Sequence, residues 1–164
     1  MVAAGRHCGG LTSPILNPTV DDDSLPAMRT PQEAIFVHLA TRQFADTTVA
    51  APTGRIDHRS AADLEAALAP SLAEVVARKG ALVLDFAGVD YISSVGLRVL
   101  MIAARQMRAT EAKLAVAAPQ PVVAEILAIS RFDKVLLVCA TLEAALEQCS
   151  AQALAAWRAD GPAR

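Results

Sequence analysis

The sequence predicts an α/β domain, with a mixed, largely parallel β-sheet and crossover helices. Three observations predict it. From residue 81 onward, short apolar runs alternate with stretches of helical period, the pattern of repeated strand–helix units. The first of those runs, Ala81-Leu82-Val83-Leu84-Asp85-Phe86, is nearly continuous, as expected of a strand covered on both faces. The chain has 164 residues, 54% hydrophobic but only 4% aromatic, so its core must be mostly Ala, Val, Leu and Ile with closely packed elements.

Residues 1–33 carry Pro14, Pro18, Pro26, Pro31 and the acidic triplet Asp21-Asp22-Asp23 without a sustained apolar period, and read as a flexible N-terminal extension. A single domain is expected over 34–158, with a C-terminal tail over 159–164. Ile35 to Leu39 and Thr47 to Ala51 read as two β-branched strands, followed by a turn at Pro52-Thr53-Gly54. Ser60, three residues before Asp63, is the expected cap of a helix whose apolar positions are Leu64, Leu68, Leu72, Val75 and Val76. Pro70 predicts a kink or break within it, and Arg78-Lys79-Gly80 its end.

After the strand at 81–86, the period switches to helical beyond Ser94, with Leu97, Leu100, Met101, Ala104 and Met107 on one face. Lys113 to Ala117 is the next strand. Pro119 and Pro121 introduce a helix bearing Val122, Val123, Ile126 and Leu127. Val135 to Val138 is the last strand, and Thr141 caps a final helix running through Cys149 towards Trp157. Largely parallel pairing follows, because after the first two strands each strand is separated from the next by a helix able to cross over.

With 15 basic and 17 acidic residues the formal charge is −2, and the sequence shows no basic stripe of a nucleic-acid surface. No apolar run has the length of a bilayer span, so no membrane insertion is expected, and Arg6, His7 and Gly9-Gly10 interrupt any secretory pattern. Three cysteines, Cys8, Cys139 and Cys149, form no CxxC spacing, and His7, His38 and His58 are scattered. Neither a disulfide framework nor a metal site is expected, no cofactor is called for, and a cytoplasmic location is inferred. Cys139 and Cys149 read as small core residues.

Ser93-Ser94-Val95-Gly96 falls where a buried strand gives way to a helix. Two readings fit. Serine is a preferred N-cap, so Ser93 or Ser94 could simply close the helix end. The same position also suits phosphorylation: a phosphoserine brings about −1.5 to −2 charges to free N–H groups and the positive end of the helix dipole. A nucleophilic serine would need a positioned base and an oxyanion site, with Asp57 and His58 the nearest bases in sequence; there is no GxSxG elbow. Catalysis is therefore not expected.

The run Val89-Asp90-Tyr91-Ile92-Ser93-Ser94-Val95-Gly96-Leu97-Arg98-Val99-Leu100 resembles the signature of STAS domains, specifically the bacterial anti-sigma factor antagonists. Thr53-Gly54-Arg55-Ile56-Asp57 is similar to the family's Gly-x-Leu-Asp segment, Ala81–Gly88 to its apolar strand, and Ile129-Ser130-Arg131-Phe132-Asp133 with Leu142–Leu146 to its tail. The resemblance spans roughly 34–150. It implies a STAS-like fold and a protein-binding module with no catalysis of its own. Such a module binds an anti-sigma factor with a histidine-kinase-like ATPase fold, is phosphorylated by it on serine, and is restored by a serine phosphatase.

In the family motif Asp-Ser-[Ser/Thr]-Gly-Leu the acceptor is the first Ser after Asp, which is Ser94 here, with Ser93 as second choice. Ser93 stands in the Asp position and Val95 in the following Ser/Thr position, while Gly96 and Leu97 match. Asp57, Ser93, Ser94, Gly96, Leu97 and Arg98 are the expected partner-binding residues. Each has a plainer reading: Asp57 as a turn carboxylate leading a helix, Gly96 as a residue permitting close approach, Arg98 as a solvated charge. A constitutive structural subunit of a transporter or stress-sensing assembly, with Ser94 only a cap, is the alternative.

Overall fold

The computed structural model describes residues 38–161. A hairpin opens the fold: β1 (His38–Phe44) pairs antiparallel with β2 (Thr47–Ile56), Phe44 opposite Thr47. The two-residue connection is closed by Ala45 at φ 51°. The expected first strand thus begins at His38 among the described residues, its earlier residues lying outside them. The polar Thr41-Arg42-Gln43, between the two expected strands, belongs to β1, whose outward positions are exposed. β2 also runs straight through the turn expected at Pro52-Thr53-Gly54. Gly54 instead sits at φ 91° beside a register shift, which absorbs the irregularity without ending the strand.

Six strands form one sheet in the order β1-β2-β3-β5-β6, with β4 pairing to β2 beyond β3. β3 (Ala81–Asp85) runs parallel to the first half of β2, and β4 (Val89–Ile92) parallel to its end. β5 (Lys113–Ala117) and β6 (Leu137–Cys139) complete the parallel part. β4 was not expected from the sequence: four residues are too few to announce a strand beside a stronger apolar run. The last strand lies at 137–139 rather than 135–138, because a single 3-10 turn at Phe132–Lys134 buries Phe132 and delays it.

Helices cover both faces. α1 (Ser60–Arg78), α2 (Ser94–Ala109) and α3 (Pro121–Ile129) bury Leu64, Leu68, Val75, Leu100, Met107, Val123 and Leu127 against Leu82 and Leu84. α4 (Leu142–Cys149) and α5 (Ala151–Asp160) bury Ala145, Leu146, Cys149 and Leu154 against Val83 and Ala115 on the other face. Alternate β3 residues therefore serve two cores, which is why the strand reads as continuously apolar. Cys139 and Cys149 are core residues; burial pushes the Cys149 thiol up to about 11.

Three details of the helices differ from expectation. α1 runs unbroken through Pro70, which lies on its exposed side, so the missing N–H costs a hydrogen bond but displaces no core residue. Its end is set by Lys79 at φ 51°, not by Gly80. The final helix is two: Thr141 caps α4 by accepting from Ala144 N at 3.1 Å, then Ser150 interrupts it and caps α5 by accepting from Ala153 N at 3.3 Å. α5 reaches Asp160, two residues into the expected tail.

Candidate functional site

Parallel pairing of β2 with β4 builds the corner where the candidate residues meet. Ile56 lies opposite Ile92, and the Ser93 N–H donates to the Ile56 carbonyl at 2.8 Å, so Asp57 and Ser93 leave the sheet side by side. Thirty-six positions of sequence separate them; only the crossover brings them together. One register step back, the Arg55 guanidinium lies over the Tyr91 ring, 4.5 Å from its centroid. This stack was not anticipated, because the pairing that creates it involves the unexpected β4.

Ser93 is the N-cap of α2. Its backbone is extended (φ −87°, ψ 170°), and its hydroxyl oxygen accepts from the Gly96 N–H at 3.3 Å. Its carbonyl accepts from the Leu97 N–H at 2.9 Å, the first bond of the helix. Ser94 is the first helical residue. It is exposed, and its hydroxyl makes no hydrogen bond with another described residue. Of the two serines, one closes the helix and the other stands free beside it.

Gly96 is buried beneath this turn. A Cβ there would lie 2.6 Å from Ile56 Cγ2, 2.8 Å from Ile92 Cγ1 and 3.3 Å from the Ile56 carbonyl oxygen. Glycine thus lets the first turn of α2 sit directly on the ends of β2 and β4, fixing where Ser94 emerges. Leu97 is half-buried against the main core, Arg98 is exposed one turn beyond Ser94, and Val95 stands 43% exposed at the corner. Val95 is the apolar residue of this surface that helical periodicity alone did not single out. The first turn of α2 carries no acidic residue, so its N-terminal dipole meets no carboxylate of its own helix.

Asp57 organises the neighbouring helix start. Its Oδ1 accepts from the Arg59 N–H at 2.8 Å and the Ser60 N–H at 3.2 Å. These amides, the Arg59 one foremost, hold its carboxyl below the usual carboxylate range. The expected capping role of Ser60 falls to Asp57 instead. Ser60 is fully buried, donates from its hydroxyl to the Arg55 carbonyl at 2.7 Å and accepts from the Asp57 N–H at 2.9 Å. Both amides engage the same carboxylate oxygen. Among the described residues, no cluster of three His, Cys, Asp or Glu is arranged to hold a metal ion. Nor is any described helix long and apolar enough to cross a membrane.

The sequence profile of the STAS domain matches residues 38–145. BtrV of Bordetella bronchiseptica, named as an anti-sigma factor antagonist, is 37% identical over 97 residues, covering 59% of this chain and 81% of that one. An anti-sigma factor antagonist from Mycobacterium paratuberculosis superposes with a TM-score of 0.59 at 26% identity, covering 68% of this chain and 92% of the other. A Thermotoga maritima protein described in the same terms shares the fold, with a TM-score of 0.62 at 16% identity over 68% and 93% of the two chains. The chain belongs to the STAS domain family, among the anti-sigma factor antagonists.

Proposed function

From that membership we propose that this STAS protein is a non-catalytic binding module, an anti-sigma factor antagonist controlled by reversible phosphorylation of Ser94. In its unmodified form it engages an anti-sigma factor with a histidine-kinase-like ATPase fold through the corner formed by Asp57, Ser93, Ser94, Gly96, Leu97 and Arg98. That partner phosphorylates Ser94, the complex separates, and a serine phosphatase resets the switch.

The observation that carries this reading is the division of labour between the two serines. Ser93 Oγ is bonded to the Gly96 amide, whereas the Ser94 hydroxyl is exposed and free of described partners. The family's aspartate at the position of Ser93 is a residue type of the same capping class, so its replacement by serine keeps the helix start intact. It also leaves the acceptor without a negative neighbour in the first turn. A phosphate on Ser94 would meet the helix dipole and, four residues on, the Arg98 guanidinium, both of which stabilise the modified monomer. A partner packed over Val95 and Ser94 would instead have to bury that charge. Even about 3 kcal/mol of such cost lowers affinity roughly a hundredfold.

The test is incubation with the cognate kinase and ATP, followed by mass-spectrometric mapping. Phosphate should appear on Ser94, and Ser94→Ala should abolish it while retaining partner binding. Ser94→Asp should weaken binding at least tenfold. Phosphate absent from both serines, or unchanged affinity of the Ser94→Asp variant, would overturn the switch and favour a constitutive scaffold.

A further inference from the structure

Among the described residues, an apolar face of the α1–α2 pair has no covering element; it adjoins the corner described above and shares Val95 and Arg98 with it. Between α1 and α2 runs a groove of about 540 Å³, lined by Ala69, Leu72, Val76, Ile102 and Ala109 among others. On its α2 side, Ile102 is 36% exposed and Val95, two turns earlier on the same ridge, is 43% exposed. On its α1 side the outward positions Ala62 and Ala69 are exposed and flat.

The two helices follow paired ends of parallel strands, Ile56 before α1 and Ile92 before α2, so both start from the same end of the sheet. Counting from the helix starts, Ile102 stands level with Ala69, Val95 with Ala62, and Arg98 with Glu65, each within one position. The charges bordering the groove are opposite: α2 carries Arg98 and Arg105 at exposed positions and no carboxylate, while α1 lines the groove with Glu65.

We propose that this face pairs with the same face of a second copy of the chain, about a twofold axis parallel to the groove. That axis lays α1 of each copy on α2 of the other. Ile102 and Val95 then seat on the flat surfaces at Ala69 and Ala62, and Arg98 meets Glu65 of its neighbour. A twofold axis across the groove would set α2 against α2 and oppose arginines to arginines, so the charges select the first arrangement. Two helices about 25 Å long and about 10 Å wide each offer about 500 Å² per copy, or about 1,000 Å² in total, the lower limit of a specific interface. The association is therefore reversible and concentration-dependent.

Sedimentation equilibrium of the full chain decides it, without a kinase or any other partner. The weight-average mass should climb from monomer towards dimer between about 10 and about 500 µM, the regime of an interface of this size. Ile102→Glu and Ala69→Glu, both at exposed positions, should each keep the mass at monomer; circular dichroism verifies that each variant is folded. Arg98→Glu should weaken the dimer at least fivefold, and adding Glu65→Arg to it should restore at least half of that loss. A monomer at every concentration overturns the proposal, as does a dimer indifferent to Ile102→Glu, or a charge swap that fails to recover.

Discussion

Replacing Gly96 by Ala tests the geometry that presents Ser94. Two effects oppose each other. Alanine is the better helix former, worth about 1 kcal/mol over glycine inside a helix. Against this, the new methyl would stand 2.6 Å from Ile56 Cγ2 and 2.8 Å from Ile92 Cγ1, well inside van der Waals contact. Both isoleucines are fully buried, at 0% and 1% exposure, and their β-branched side chains have few rotamers into which to retreat. Nor is the backbone free to yield, since the Ile56 carbonyl, 3.3 Å from the added atom, already accepts from Ser93 N. Overpacking of a closed site costs about 1–3 kcal/mol, and here two rigid neighbours are struck at once, so its upper range applies. The net expectation is a loss of about 1–2 kcal/mol, or a melting temperature lowered by about 4–8 °C for a domain of this size. Urea denaturation should show a lower midpoint at unchanged slope. In a double-mutant cycle, Ile56→Ala should cost less in the Gly96→Ala background than in the wild type, because it removes the atom that clashes. A Gly96→Ala protein as stable as the wild type, or more so, would refute the seating of α2 on the ends of β2 and β4.

Asp57 and Pro70 carry two further predictions. The Asp57 carboxyl is depressed in the folded state by the Arg59 and Ser60 amides, so its contribution is present above the ordinary carboxylate pKa and lost as pH falls through that range towards the depressed value. Thermal melts between about pH 7 and pH 2 should therefore show a shallower acid decline in Asp57→Asn, which keeps an acceptor oxygen but does not titrate there; identical acid limbs would count against Asp57 as the cap of α1. Pro70→Ala, at an exposed position inside an unbroken helix, should restore a backbone bond and raise stability by about 1–3 kcal/mol in denaturant titrations. A loss instead would mean that the proline ring itself supports α1.

The sequence by itself determined the order of most elements, β4 and the split of the last helix apart, together with core residues and the position of the serine pair, because each of these is written in local spacing. Strands buried twice read as continuous apolar runs, helices repeat their apolar residues every three or four positions, and capping residues announce helix starts. Where local signals competed, it was less informative. Pro70 marks a break in any isolated helix, yet the apolar residues on either side of it, anchored in one core, hold α1 continuous. Gly54 and Pro52 look like a turn, yet pairing with β1 and β4 carries β2 through them. Only the tertiary structure decided which serine is engaged and which is free. The β2–β4 pairing sets Ser93 in an extended conformation at the sheet's end, where its oxygen turns to the Gly96 amide and Ser94 is left outside. The same pairing sets Asp57 beside them and Arg55 over Tyr91, contacts between distant segments that no local pattern encodes. The chain specifies a serine at a helix start; the sheet beneath it determines which one faces the solvent.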